Sequence, residues 1–313
     1  MKSLEGEKVL IGPSSFAALD RKPLDMLRKR GCEVIDNPFK RKLTKAELFD
    51  LLSGGPTALI AGLELLDREV LEKCKLKVIS RCGSGLSNVD LKAADELGIE
   101  VCFTPDGPTQ AVAELTLGAM LSLIRMIPQM NEDLHEGKWS KRIGMELEGK
   151  TVLLIGFGRI GRRLASLLSP FKTEILAVDP HLDSPAEDVS VTTLEEGLPK
   201  ADIISIHASA TTCILGDEEF SSVKPGVFLL NAARGALINE KVLIGALEDG
   251  RIAGAWIDTF EQEPYSGQLC KYPQVILTPH VGSYTRESRL RMETEAVDKL
   301  INALMRWKDR NED

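Results

Sequence analysis

The stretch Lys150-Thr-Val-Leu-Leu-Ile-Gly-Phe-Gly-Arg-Ile-Gly161, continuing into RRLASLL at 162–168, decides the fold. An apolar run of strand length opens it, and the residues that close it keep a helical rhythm. Between the two, Gly156, Phe157, Gly158, Arg159, Ile160 and Gly161 spell GxGxxG. Glycines at these positions let the backbone turn tightly and approach a pyrophosphate, which sits on the open amides of a helix N-terminus. The next strand-like run, TEILAVD from Thr173, ends in Asp179, 23 residues beyond Gly156. An acid at about that offset, ~20 residues, holds an adenosine ribose. Its carboxylate repels a 2′-phosphate, so the expected cofactor is NAD rather than NADP. GxGxxG alone is weak; the strand before it, the helix after it and the acid beyond make it specific.

On both sides of this turn, short β-rich runs alternate with amphipathic helices. Upstream, KVLIG (from Lys8), CEVID (from Cys32), TALIA (from Thr57), LKVIS (from Leu76) and IEVCF (from Ile99) read as strands. Helices are expected over 24–30, stopped by Gly31; after Thr44, with Glu47 completing a capping box; after Asp67; and between Asp90 and Gly98. Downstream, ADIISIH (from Ala201), GVFLLN (from Gly226), IAGAWID (from Ile252) and VILTP (from Val275) continue the pattern. A helix is expected between Asn239 and Gly250, and a last one from near Thr285. Such alternation predicts parallel sheets with helices on both faces: two α/β units sharing one chain. One apolar segment, AVAELTLGAMLSLIRMI at 111–127, approaches the length of a membrane span. Glu114 and Arg125 are costly in hydrocarbon, so it is read instead as a helix buried between two domains.

Composition narrows the function classes. With 313 residues and 43% hydrophobic content the chain can build two cores. Net charge is −8, from 39 Lys+Arg against 47 Asp+Glu, which argues against nucleic acid or an anionic membrane as the main partner. Aromatic content of 5% argues against a base-stacking platform. The six cysteines (Cys32, Cys74, Cys82, Cys102, Cys213 and Cys270) show no metal-ligand spacing, so no metal site is expected. They are read as reduced thiols, mostly in the core. The opening MKSLEGEKVL has no apolar stretch of signal-peptide length, and a cytoplasmic location is the expectation.

Three polar residues follow three different strands of the sheet that carries the glycine turn. Arg234 stands in NAARG after VFLL, Glu263 in DTFEQEP after IAGAWID, and His280 in LTPHVGS after VIL. Ligands of α/β sheets bind at the carboxyl ends of strands, so the three are expected to converge in one crevice.

Together these residues resemble the NAD-dependent D-isomer-specific 2-hydroxyacid dehydrogenases, especially the branch similar to 3-phosphoglycerate dehydrogenase. The resemblance runs from about Val9 to the last helix. It rests on GKTVLLIGFGRIG (149–161), KPGVFLLNAARGALINE (224–240), AGAWIDTFEQEP (253–264) and LTPHVGS (277–283), with support from RCGSGLSNVD (81–90) and TPDGPTQAVAELTLG (104–118). It implies that His280 is the acid/base of the reaction and that Glu263 orients it and stabilises its positive charge. It further implies that Arg234 binds the substrate carboxylate and polarises the carbonyl. By the same resemblance Gly156, Gly158, Arg159, Ile160 and Gly161 line the pyrophosphate, and Asp179 holds the ribose. Ala208, Ala232, Ala233 and Gly282 border the cofactor, and Asp258 binds the nicotinamide carboxamide. Ser84 and Gly85 offer backbone amides to the substrate carboxylate.

The implied architecture is two doubly wound parallel-sheet domains. A flavodoxin-like substrate domain covers 1–102 plus 284–313, and a Rossmann NAD-binding domain covers 103–283. The substrate crevice is expected between them, with hinge closure, and a homodimer is expected through the cofactor domains, with 111–142 as the contact. The implied reaction interconverts a small D-2-hydroxy acid and its 2-oxo acid, with 3-phosphoglycerate the first candidate. Alternatives are a reductase of glyoxylate, hydroxypyruvate or another 2-oxo acid and, from a different class, an NAD(H)-sensing corepressor-like binding protein. Two departures from the family pattern stand out. Ser209 takes the place of a usual proline in HASATTCILG (207–216), and AGLELLD (61–67) has no Arg or Lys before Arg68. Phosphate recognition therefore falls to Arg81, Lys141 or Arg142, if it occurs. A further regulatory domain, carried by some relatives after the last helix, is not expected.

Overall fold

Runs of four or five residues that are apolar throughout need a sheet covered on both faces, and two such sheets form here. The computed structural model describes residues 3–182 and 188–311. The chain divides into two compact units, Met1–Pro108 with Ser283–Asp313, and Thr109–Gly282.

The first unit runs β1 (Lys8–Ile11), α1 (Lys22–Lys29), β2 (Glu33–Ile35), α2 (Lys45–Ser53), β3 (Ala58–Ala61), α3 (Arg68–Glu72), β4 (Val78–Arg81), α4 (Leu91–Glu96) and β5 (Glu100–Phe103). Its five strands are parallel in the order β2-β1-β3-β4-β5, the flavodoxin-like order whose switch point lies between β1 and β3. Alternate side chains go to opposite faces. Val9, Ile11, Ala58, Ile60 and Val78 pack with Met292, Val297, Leu300, Ile301 and Leu304 of the last helix. Leu10, Leu59 and Ile79 pack with Leu48, Leu52 and Leu71. The expected caps are present: Thr44 and Glu47 form a reciprocal capping box, and the carboxylates of Asp67 and Asp90 accept from the amides of Val70 and Ala93.

The second unit runs α5 (Thr109–Ile124), α6 (Ile127–His135), β6 (Thr151–Ile155), α7 (Arg159–Leu168), β7 (Glu174–Val178), β8 (Val189–Val191), α8 (Leu194–Gly197), β9 (Ile203–Ile206), α9 (Asp217–Ser222), β10 (Val227–Asn231), α10 (Glu240–Glu248), β11 (Ile252–Ile257) and β12 (Val275–Leu277). The chain then returns to the first unit in α11 (Arg286–Asn311). All seven strands are parallel in the order β12-β11-β10-β9-β6-β7-β8. Counted from β6, this is the Rossmann order, with its switch point between β6 and β9.

Three expectations need correction. Residue 103 is not a domain boundary: β5 pairs with β4, and the Gly107 carbonyl accepts from Ser288 Oγ at 2.9 Å. The first unit therefore keeps the chain as far as Pro108. The apolar segment 111–127 is not one helix, because Met126 is left-handed at φ 51° and α5 and α6 meet at a bend of 63°. α5 packs against α7, β10 and β11 of its own unit. Among the described residues no single helix is long and apolar enough to cross a membrane. Finally, β8 was unexpected, and of the six free cysteines only Cys32 and Cys82 are buried, while Cys213 and Cys270 are exposed.

Candidate active site

The glycine turn falls at the switch point of the second sheet. Gly156 has φ +95°, and a Cβ on it would lie 2.5 Å from the Ala208 nitrogen and 2.6 Å from the His207 carbonyl carbon. Only glycine lets the ends of β6 and β9 approach this closely. A Cβ on Gly161 would lie 2.4 Å from the Gly156 oxygen, so this glycine seats α7 on the turn. Gly158 differs: nothing lies within 4 Å of its missing Cβ. It is the exposed N-cap of α7, and no side chain caps that helix end. Open amides, a helix dipole and free space fit a dinucleotide pyrophosphate.

Asp179, just past β7, is tied into the same turn. Its Oδ2 accepts from Phe157 N at 2.7 Å and its Oδ1 from His181 N at 2.9 Å. Arg159 is exposed and Ile160 half-buried in the first turn of α7, and Ala208, Ala232 and Ala233 are half-buried where β9 and β10 end. His207, next to Ala208, sets its Nε2 2.8 Å from Ser205 Oγ. Burial holds its pKa down at about 4, so it is neutral near pH 7.

Past β10, β11 and β12 the three polar residues take their places. Arg234 is half-buried, and its Nη1 donates to the Ala233 carbonyl at 2.6 Å. Asn231, missed in the sequence reading, fastens this loop: its side chain donates to the Arg234 carbonyl at 2.8 Å and accepts from Ala233 N at 3.0 Å. Gly235 presses against the backbone of Phe260 and Glu261, so the Arg234 loop and the Glu263 loop touch. Glu263 sets its two oxygens 3.1 and 3.0 Å from His280 Nδ1, and its Oε1 also accepts from Phe260 N at 3.1 Å. The Nδ1 proton points at the carboxylate and Nε2 is left for chemistry. His280 and Glu263 side chains are 36% and 31% exposed, open enough to meet a ligand.

His280 has a left-handed backbone at φ 53°, uncommon for a residue with a Cβ and costing on the order of 1 kcal/mol or more. Its amide is held by the carbonyls of Asp258 (2.8 Å) and Thr278 (2.9 Å). Asp258, 1% exposed, fastens this loop too, accepting from Thr278 Oγ1 at 2.5 Å and from the amides of Val281 and Gly282 at 2.9 Å each. Trp256 Nε1 in turn donates to Thr278 Oγ1 at 3.0 Å. Asp258, expected to bind the nicotinamide carboxamide, anchors the His280 loop through these bonds.

In the first unit, Arg81 closes β4 and Ser84 and Gly85 follow it in the turn, exposed and half-buried respectively. The Arg81 guanidinium folds back onto the Cys82 carbonyl, beside Gly83, whose amide donates to Thr104 Oγ1 at 2.7 Å. Of the other basic candidates, Arg142 is paired with Asp133 at 2.8 Å and Lys141 is exposed.

A family model described as "D-isomer specific 2-hydroxyacid dehydrogenase, NAD binding domain" matches residues 117–282. D-3-phosphoglycerate dehydrogenase of Homo sapiens is 35% identical over 305 residues, covering 94% of this chain and 56% of that protein. The chain thus spans little more than half the length of the relatives of that name. Hydroxypyruvate reductase of Thermotoga maritima is 35% identical over 298 residues, covering 90% of this chain and 96% of that protein. Among solved structures, a glyoxylate reductase from Paecilomyes thermophila superposes with a TM-score of 0.85 at 27% identity, covering 97% of this chain and 96% of that one.

Proposed function

The chain belongs to the D-isomer specific 2-hydroxyacid dehydrogenase family, and its second unit carries that family's NAD-binding domain; from this premise we propose that it interconverts a small D-2-hydroxy acid and its 2-oxo acid. One observation carries the reading: the Glu263–His280 pair stands at the carboxyl end of the sheet whose switch point holds the glycine turn. Bound NAD supplies the hydride acceptor, and NADH the donor.

The protein's own part is position, charge and a proton. His280 Nε2 takes the proton from the substrate hydroxyl in oxidation and returns it to the carbonyl oxygen in reduction. Glu263 keeps the imidazole turned for that exchange and balances the positive charge it gains. Arg234 receives the substrate carboxylate through its planar fork and draws electron density from the adjacent carbonyl. The Ser84–Gly85 amides assist with that carboxylate, and Asp179 sets the preference for NAD.

Two substrate readings follow. The first, 3-phosphoglycerate, is supported by relatives of that name. The second, hydroxypyruvate or glyoxylate, is supported by the full-length likeness to a hydroxypyruvate reductase and by the lack of any Lys or Arg over 61–67. We also propose a homodimer through the cofactor domains, supported by exposed apolar side chains there: Ile127 (49%), Leu134 (56%), Trp139 (81%) and Ile143 (97%). The test of the reaction is steady-state turnover of a panel of D-2-hydroxy acids with NAD and of 2-oxo acids with NADH. Turnover of at least one pair is expected; tight NADH binding without turnover favours a nucleotide-sensing protein.

A further inference from the structure

Thr259 follows Asp258 just past β11 and opens toward Phe260 and the Glu263 loop. It is 1% exposed. Its Oγ1 is buried and has no hydrogen-bond partner among the described residues. A buried hydroxyl without a partner costs free energy, and a valine of nearly the same shape would avoid that cost. Such a group needs an explanation, and an ordered water is the commonest one.

The surroundings supply the room. Thr259 lines a small cleft of about 30 Å³ that lies wholly within the second unit. Gly235 and Phe260 line it too, so it sits beside the point where the Arg234 loop meets the Glu263 loop. A water needs roughly 10–15 Å³ of such space and two to four polar partners, so one or two waters fit. The partners are at hand, because Asn231 and Glu240 share the lining with Thr259. Asn231 is fully buried and spends one Nδ2 hydrogen on the Arg234 carbonyl at 2.8 Å, which leaves the second to give. Glu240 accepts the Tyr265 hydroxyl on Oε1 at 2.7 Å, and Oε2 is a further acceptor.

Resting on the oxidoreductase reading, we infer that Thr259 is a positioning residue for Arg234: its hydroxyl binds a water in this cleft, and the water ties the start of the Glu263 loop to Asn231. Asn231 already holds the Arg234 carbonyl and the Ala233 amide, so the tie reaches the backbone that aims the guanidinium. A bridging water is nearly as good as a direct hydrogen bond. Losing it loosens the Arg234 loop and leaves the glycine turn, at the ends of β6 and β9, untouched.

The tests use the full chain. In a crystal structure of the wild type, density for a water within hydrogen-bond distance of Thr259 Oγ1 is expected; a cleft without it overturns the inference whatever the activity. Kinetics with NADH and the 2-oxo acid best turned over supply the second arm. Thr259→Val is expected to raise KM about fivefold, the scale of one modest hydrogen bond. Its kcat and NADH affinity should change by less than about twofold, since the carboxylate contact of Arg234 is made in ground and transition state alike. Thr259→Ser keeps the hydroxyl and is expected to bring KM back to within about twofold of the wild type. A folded Thr259→Val with the wild-type KM, a Thr259→Ser no better than the valine variant, or a parallel loss of kcat and NADH affinity overturns the inference and leaves the oxidoreductase reading in place. Should circular dichroism show Thr259→Val unfolded, the density and the KM of Thr259→Ser decide. Turnover of no 2-oxo acid by the wild type overturns the oxidoreductase reading and the positioning role with it.

Discussion

A Cβ on Gly235 would lie 2.0 Å from the carbonyl carbon of Phe260. That glycine follows Arg234, and Phe260 opens the loop that carries Glu263, so one missing methyl group keeps two functional loops in register. Gly235→Ala must displace one of them. The expected result is a fall of about 100-fold in kcat/KM, the scale of an ångström-sized misplacement, with a far smaller change in NADH affinity, which depends on the glycine turn. Parallel kinetics and NADH titration check it; equal losses in both would mean a collapse of the whole unit.

Removing the imidazole tests the proton step. His280→Ala is expected to lower kcat by roughly 10²–10⁴ while NADH still binds. Glu263→Gln should cost less, because the amide still orients the ring but carries no charge. The double variant should fall short of the sum of the two, as for groups that act as a unit. Strict additivity would separate them.

Asp179, proposed to hold the ribose, secures the glycine turn through Phe157 N, 2.7 Å away. Asp179→Asn keeps an acceptor for that amide and removes the charge. It is expected to erode the preference for NAD over NADP by about tenfold or more, since the penalty for the 2′-phosphate is electrostatic. An unchanged cofactor ratio contradicts the assignment.

His207 should leave a mark on acid stability. Its folded pKa is about 4, against about 6.5 in the unfolded chain. Between those values the unfolded chain holds a proton that the folded chain lacks. Stability from this residue is therefore intact above pH 6.5 and declines as pH falls toward 4, by ~2 kcal/mol between pH 7.5 and 5. Urea melts of the wild type and His207→Gln at both pH values should show a shallower decline in the variant. Matching declines would rule the residue out.

Much of this molecule was legible because its strands are short apolar runs with glycine, asparagine or aspartate at their ends. The Thr44 capping box, the helix stops at Gly31 and Gly98, and the glycine turn are local signals, and locality is what a sequence displays. The placement of three candidate loops was legible for a related reason: in a parallel sheet every strand delivers its next residues to the same edge, so Arg234, Glu263 and His280 follow β10, β11 and β12 there. What escaped depended on distant partners. VSV at 189–191 is too short to declare itself and becomes β8 only beside β7. The break between α5 and α6 rests on the left-handed Met126, a conformation without a residue signature of its own. Asn231 and Thr278 read as ordinary polar residues until their hydrogen bonds place them.

The return of the chain in α11 also orders events at the ribosome. Met292, Ala296, Val297, Leu300, Ile301 and Leu304 fill one face of the first sheet, so that sheet keeps an open hydrophobic side until α11 has been synthesised. The cofactor unit, contiguous over Thr109–Gly282, has all its parts sooner and is expected to fold first. Nascent chains arrested before residue 290 should thus bind NADH yet engage chaperones through β1, β3 and β4, an inversion of the usual N-terminal-first order.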